Sequence, residues 1–199
     1  MDPESDRESI FFASIHGYGG GFYPGTGSDC NEASPRVVNV ALRPNATSAE
    51  FRDGVRTKIL PELLAFDPDI LFVSAGFDGH EDDLIGNCRC IEEDYVWVTQ
   101  QLVSAANRCC QGRLISVLEG GYNTRAETLS PFAQSVAGHV RTLMHTSTNF
   151  CPASQKGRGL LSGLYMASRR HVCVRGCVML WRWTFNSSWG CRWPLLPTP

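Results

Sequence analysis

The stretch SAGFDGHEDD, Ser74 to Asp83, gathers Asp78, Glu81, Asp82 and Asp83 around His80. Carboxylate oxygen and imidazole nitrogen are the atoms that borderline cations take. A catalytic zinc commonly has three such protein ligands and keeps a fourth position open for water. Asp78, His80 and Asp82 alternate, so an extended loop would turn them to one side. Metal-assisted hydrolysis is the chemistry such a loop supports. Two other clusters stand out, HGYGGGFYPGTG from His16 to Gly27 and EGGYN from Glu119 to Asn123. Each has a plainer reading. A Gly- and Pro-rich run is ordinary turn chemistry, an acidic loop is usually solvated, and Asp78 would serve as a helix cap.

The elements around these clusters decide between the two readings. IFFASI (10–15), VVNVAL (37–42), DILFVS (69–74) and RLISVL (113–118) are nearly continuous apolar runs. Such runs predict strands buried on both faces of a parallel sheet. Phe51, Val55, Ile59 and Leu63 recur every fourth residue and predict a helical face, with Thr47 as N-cap and Glu50 closing a capping box. Pro61 falls inside that run and is expected to kink or split the helix. Further helices are expected from about Glu92 to Asn107, with Tyr95, Val98, Leu102 and Ala106 on one side, and from about Pro131 to His145. Strands alternating with helices predict a doubly wound α/β sheet. Ligands in such sheets sit beyond the carboxyl ends of the strands, and all three polar clusters follow strands.

Composition sets the outer bounds. A chain of 199 residues, 43% of them hydrophobic, builds one core, and a net charge of −2 argues against coating nucleic acid. Every Asp and Glu lies at or before Glu127, so the chain divides into two segments of different character. The nine cysteines include no C-x-x-C pair, and the opening MDPESDRES is polar where a signal peptide is apolar. Free thiols in a reducing, intracellular setting, nucleus or cytoplasm, are the expectation, with no direct nucleic-acid or membrane partner.

The order SIH…FYPGTG, then SAGFDGHEDDLIG, then LEGGYN resembles the zinc-dependent histone deacetylase family, in particular its class II and acetylpolyamine-amidohydrolase-like branch. The resemblance covers about Ile10 to His145 and implies an arginase/deacetylase-type α/β sheet that hydrolyses acetyl-lysine. It implies that Asp78 is a zinc (Zn2+) ligand, joining an Asp and a His from an earlier Asp-x-His motif. It implies that the Tyr122 hydroxyl is the catalytic donor to the acetyl carbonyl. Gly120 and Gly121 would give the backbone clearance beside the acyl-lysine channel, and Phe22 and Tyr23 its aromatic wall. Ser14 and Ile15, with His16, fall where the family holds a monovalent cation such as K+. Asp83 and His80 would act behind the ligand or at the rim, His80 ordering its loop rather than binding zinc. The expected partners are an acetylated protein such as a histone, and corepressor proteins.

Departures from the family pattern qualify this. The usual Asp-Pro-Leu-Gly reads DLIG here, and the tandem histidines and the Asp-x-His pair would lie before Ile10, where only a polar leader, 1–9, stands. One carboxylate does not hold a catalytic zinc. The expectation is therefore the C-terminal part of a catalytic domain, 10–146, inactive by itself. A catalytically silent binding module and an arginase-like manganese hydrolase remain as alternatives. Residues 147–199 hold four of the five tryptophans, four cysteines and no acid, and are expected to stand outside the domain.

Overall fold

The computed structural model describes residues 9–19, 25–28, 36–147 and 176–182. Four apolar runs became strands close to where the sequence put them: β1 (Ile10–Gly17), β2 (Val37–Leu42), β4 (Ile70–Ala75) and β6 (Leu114–Leu118). A short β3 (Ala46–Thr47) pairs with β5 (Cys88–Arg89) in a small second sheet. Every pairing is parallel, as the near-continuous apolar character requires.

The helix expected between β2 and β4 starts as a capping box. Thr47 Oγ1 accepts from the Glu50 N–H while the Glu50 carboxylate accepts from the Thr47 N–H, and α1 spans Ser48–Gly54. The chain then makes a π-helical turn, Val55–Ile59, before α2 (Leu60–Phe66). The split falls where Pro61 cannot donate to a continuing α-helix, and the proline sits in the first turn of α2, where its missing N–H costs nothing. The next helix, α3 (Glu92–Cys110), begins where expected and runs three residues further, to a left-handed Gln111. The last, α4, spans Pro131–Ser147.

The main sheet has the order β2-β1-β7-β4-β6, and its middle strand, β7 (Gly176–Arg182), comes from the segment expected to stand outside the domain. The boundary drawn after residue 146 therefore does not coincide with an edge of the sheet. A strand laid between two others satisfies backbone groups on both of its sides, which β1 and β4 would otherwise leave open.

Alternation along the strands separates two faces. Phe11, Ala13, Ile15, Val38, Val40, Leu71 and Val73 are buried and point to one of them. All four helices lie against that face. Phe66 of α2 stacks on Phe11 at 5.5 Å, and a side chain at Gly54 would strike Val40 and Ile15. His139 of α4 bonds both Thr99 of α3 and Ser116 of β6. The opposite face at β4 and β6 carries Phe72, Ile115 and Val117, each more than a third exposed, with Phe72 and Ile115 directly paired. Among the described residues the helices thus cover one side of the sheet.

Candidate active site at the strand ends

The loop after β4 starts inside the core. Phe77 is buried against Tyr95 at 5.0 Å, Phe132 at 6.3 Å and His139 at 5.6 Å. The Tyr95 hydroxyl donates to the Phe77 carbonyl at 3.1 Å, and burial pushes its pKa well above the usual tyrosine range, so it stays neutral. Phe77 thereby fixes its neighbour Asp78, whose side chain is fully buried.

The loop after β6 passes directly over that carboxyl group. A Cβ on Gly120 would lie 2.8 Å from both Cγ and Oδ1 of Asp78, closer than real Cβ atoms come, so only glycine fits. Gly121 has φ +135° and its Cβ would strike the Phe132 ring at 2.2 Å. The sequence assigned both glycines to clearance beside a substrate channel. The clearance found here is for Asp78 and for Phe132. The two loops are also joined by backbone bonds, Phe77 N–H to Gly120 O at 2.8 Å and Glu119 N–H to Ala75 O at 2.9 Å.

Asp83 locks this pair of loops. Its Oδ1 accepts from the N–H groups of Ile85 and Gly86, both at 2.9 Å, and so ends its own loop. Its Oδ2 accepts from Tyr122 N–H at 2.7 Å and Asn123 N–H at 3.3 Å. The Asn123 side chain returns a bond to Asp82 O at 2.7 Å. One carboxylate therefore ties the backbone that carries Asp78 to the backbone that carries Tyr122. Tyr122 itself is 39% exposed, its side chain open to solvent at the sheet's carboxyl edge. The sequence placed Asp83 behind the ligand without finding this bridge, because its two ends lie 39 residues apart in the chain.

His80 is buried rather than at a rim. Its Nδ1 accepts from the Asp82 N–H at 3.1 Å, which leaves the ring proton on Nε2, 3.4 Å from a Glu92 carboxylate oxygen. Its backbone lies beside Cys90, with Cys90 N–H bonded to Gly79 O and Glu81 N–H to Cys90 O. These are loop-ordering contacts. Asp78, His80 and Asp82 do not converge, and among the described residues no three His, Cys, Asp or Glu side chains meet as ligands for one metal ion. No second or third such side chain of the described residues joins the buried Asp78 carboxylate as a set.

On β1, Ser14 and Ile15 are buried. The Ser14 hydroxyl shares a 2.8 Å bond with His16 Nδ1, and His16 Nε2 lies 2.9 Å from Gly27 O, so the strand is stapled to the end of the PGTG run. Ile15 is in register with Val40 on one side and Trp181 on the other. Phe22 and Tyr23 lie outside the described residues.

Two buried polar sites went unnoticed in the sequence. Asp94 accepts from Arg52 Nε, Ser48 Oγ and Ile91 N–H, which pins the start of α3 to α1. His139 is bonded at both ring nitrogens, by Thr99 and Ser116, and burial lowers its pKa to about 4. Cys88, Cys90, Cys109 and Cys110 are free, and burial raises each of these thiols, Cys88 to about 12. A cavity of roughly 220 Å³ lined by Phe11, Arg36, Glu62 and Phe66 lies near the amino end of β1, at the wrong end of the sheet for the strand-end loops. Among the described residues no helix is long and apolar enough to cross a membrane.

A parallel sheet with a buried aspartate under one strand-end loop and a tyrosine on the next defines an α/β protein of the arginase/deacetylase fold. The family profile described as Histone deacetylase domain matches residues 4–142, well over half of the chain, and the chain belongs to that family. It is similar to Type-2 histone deacetylase 2 of Dictyostelium discoideum, 37% identical over 152 residues, which cover 70% of this chain and 9% of that protein. Histone deacetylase 15 of Arabidopsis thaliana is 33% identical over 133 residues, 64% of this chain and 23% of that one. Among solved structures, the HDA15 HD domain superposes with a TM-score of 0.57 at 23% identity, covering 70% of this chain and 46% of that one. An acetylpolyamine aminohydrolase from Burkholderia pseudomallei superposes with 0.51 at 20% identity, covering 70% and 45%. These two likenesses establish the fold. The chain spans about a tenth to a quarter of those two curated relatives, and about half of the solved chains.

Proposed function

We propose that this chain is the C-terminal part of a zinc-dependent lysine deacetylase domain, and that it contributes one metal donor, Asp78, and one oxyanion donor, Tyr122. The observation that carries the proposal is the Asp83 bridge: a single carboxylate holds the Tyr122 backbone at 2.7 Å and also closes the loop that bears Asp78. Two strand-end loops held to each other in this way keep a carboxylate and a phenol in fixed relation at the sheet edge where parallel folds bind ligands. A zinc ion, where bound, supplies the Lewis acid of amide hydrolysis in this family. The residues of this chain position their groups for it. Asp78 offers a buried carboxylate, and Gly120 lets the backbone close over it. Tyr122 offers a hydroxyl that gains most when negative charge develops on an acyl oxygen. The proposed substrate is an acetylated lysine on a protein such as a histone, Phe22 and Tyr23 are proposed as walls for its aliphatic stem, and Ser14 and Ile15 as part of a monovalent-cation site. Corepressor proteins are proposed as partners.

Among the described residues one buried carboxylate, Asp78, stands at this edge, too few donors for a catalytic zinc, and that favours catalytic silence for the 199-residue polypeptide by itself. Purified, dialysed chain is expected to keep less than stoichiometric zinc by elemental analysis and to release no acetate from an acetyl-lysine peptide. Turnover that a chelator abolishes would refute the assignment of Asp78 as one donor among several that come from elsewhere.

A further inference from the structure

A directional chain of hydrogen bonds runs beneath the two strand-end loops. Thr99 Oγ1 donates its one proton to the Tyr95 carbonyl at 2.5 Å, so toward His139 it accepts, and Nδ1 of the imidazole carries the hydrogen at 2.7 Å. His139 Nε2 is then unprotonated and accepts from the Ser116 hydroxyl at 2.9 Å. These bonds select one neutral tautomer and register α4 against α3 on one side and β6 on the other. The two helices come close at the same level, where a Cβ on Gly138 would lie 2.9 Å from Val96 Cγ2. The imidazole also packs edge-on against Phe77 at 5.6 Å, and Phe77 is the residue before Asp78. About two turns earlier on α4, Phe132 meets Phe77 at 6.3 Å and fills the space that a Cβ on Gly121 would need, one residue before Tyr122. His139 thus reaches the Asp78 loop through Phe77 and the Tyr122 loop through α4 and Phe132.

We propose that His139 is a positioning residue of the strand-end site, whose neutral imidazole holds the loops of Asp78 and Tyr122 in place together and whose protonation releases both. A proton added at Nε2 forces the Ser116 hydroxyl to turn its hydrogen away and sets a cation against the Phe77 ring edge and two neutral hydroxyls. Of the titratable groups on the elements packed around it, Tyr95 of α3 stays neutral and Asp78 follows Phe77 on the β4 loop. Glu119 after β6 and Arg141 and His145 of α4 are exposed. Burial is what lowers the His139 pKa, to about 4. Local opening that frees the ring is therefore favoured as pH falls below the ordinary histidine value. This role rests on the deacetylase reading only in that Asp78 and Tyr122 count as a site; the contacts beneath them stand without it.

The test follows amide hydrogen exchange in the full chain, corrected for the intrinsic effect of pH. In wild type, exchange at Glu81, Asp83, Tyr122 and Asn123 should accelerate together by about tenfold between pH 6.5 and pH 5, while β2 changes by less than about threefold. His139→Gln keeps a donor and an acceptor but does not titrate. It should hold the loop rates at pH 7 within about threefold of wild type and abolish the acid response. His139→Leu keeps the bulk and loses both bonds, and should speed both loops by about tenfold at pH 7. Three results would each overturn the proposal. These are an acid response that persists unchanged in His139→Gln, wild-type loop rates in His139→Leu, and equal acceleration of the loops and β2, which is what lost stability alone produces. Should His139→Leu not fold, the pH profiles of wild type and His139→Gln decide the matter by themselves. None of these measurements reads zinc retention, so this proposal and the deacetylase reading fail separately.

Discussion

The two faces of the main sheet are built from the same strands and differ in almost everything else. On one, Leu71, Val73 and Ala75 are each about 1% exposed beneath four helices, and the polar groups between helices are bonded in sets, Asp94 with three donors and His139 with two hydroxyls. On the other, Phe72 at 37%, Ile115 at 46% and Val117 at 50% are open to solvent. Parallel sheets need cover on both sides, because their strands are apolar on both sides. The covered face is the one that the described helices complete. The open face shows where its strands were composed for a second layer. The strand-end loops belong with the covered face, since Phe77 anchors them there through Tyr95, Phe132 and His139.

Paired truncations sharpen that contrast most strongly. Val73→Ala removes two methyl groups from the covered face and should cost about 2 kcal/mol in urea unfolding, as transfer and cavity terms add. Val117→Ala makes the same change on the open face and should cost under about 0.5 kcal/mol. Equal losses would mean that the open face is covered in solution.

A smaller effect follows from His139. Its folded pKa is held near 4 by burial, below the ordinary 6.5, so between those values the unfolded chain binds the proton and the folded chain does not. Stability from this group is complete above about pH 6.5 and is lost as pH falls toward 4, with a slope of at most about 1.4 kcal/mol per pH unit. Urea midpoints at pH 7 and pH 5 should show wild type losing on the order of 1 kcal/mol more than His139→Gln does. An identical pH dependence in the two proteins would mean that His139 is not buried neutral between α3, α4 and β6.

What the sequence revealed and what it hid follow the range of the interactions. Local signals were legible: four apolar runs gave four strands, Thr47 and Glu50 gave the capping box, and Pro61 marked the break between α1 and α2. The three polar clusters were legible as strand-end loops because strand order in a parallel sheet sends them to one edge. Contacts across the fold were not. Asp83 reaches Tyr122 over 39 residues and Thr99 reaches His139 over 40, and no periodicity encodes either. The middle strand was hidden for a different reason. The run CVMLW, 177–181, carries a strand signal of its own, but the basic, tryptophan-rich stretch around it argued for a segment apart from the domain. The glycines of EGGY were singled out for clearance beside a substrate channel, and the neighbours found at close approach are Asp78 and Phe132, which no local pattern encodes.

Asp83 ties the loop of Asp78 to the loop of Tyr122, and amide hydrogen exchange in Asp83→Asn tests that tie most directly. The variant keeps the shape and loses the charge that two backbone donors on the β6 loop share. Exchange at Tyr122 and Asn123 should accelerate at least tenfold, while amides in the middle of α3, around Thr99 to Val103, should change by less than threefold. Unchanged exchange at Tyr122 and Asn123 would contradict the account, since the two loops would then be held together by something other than this carboxylate.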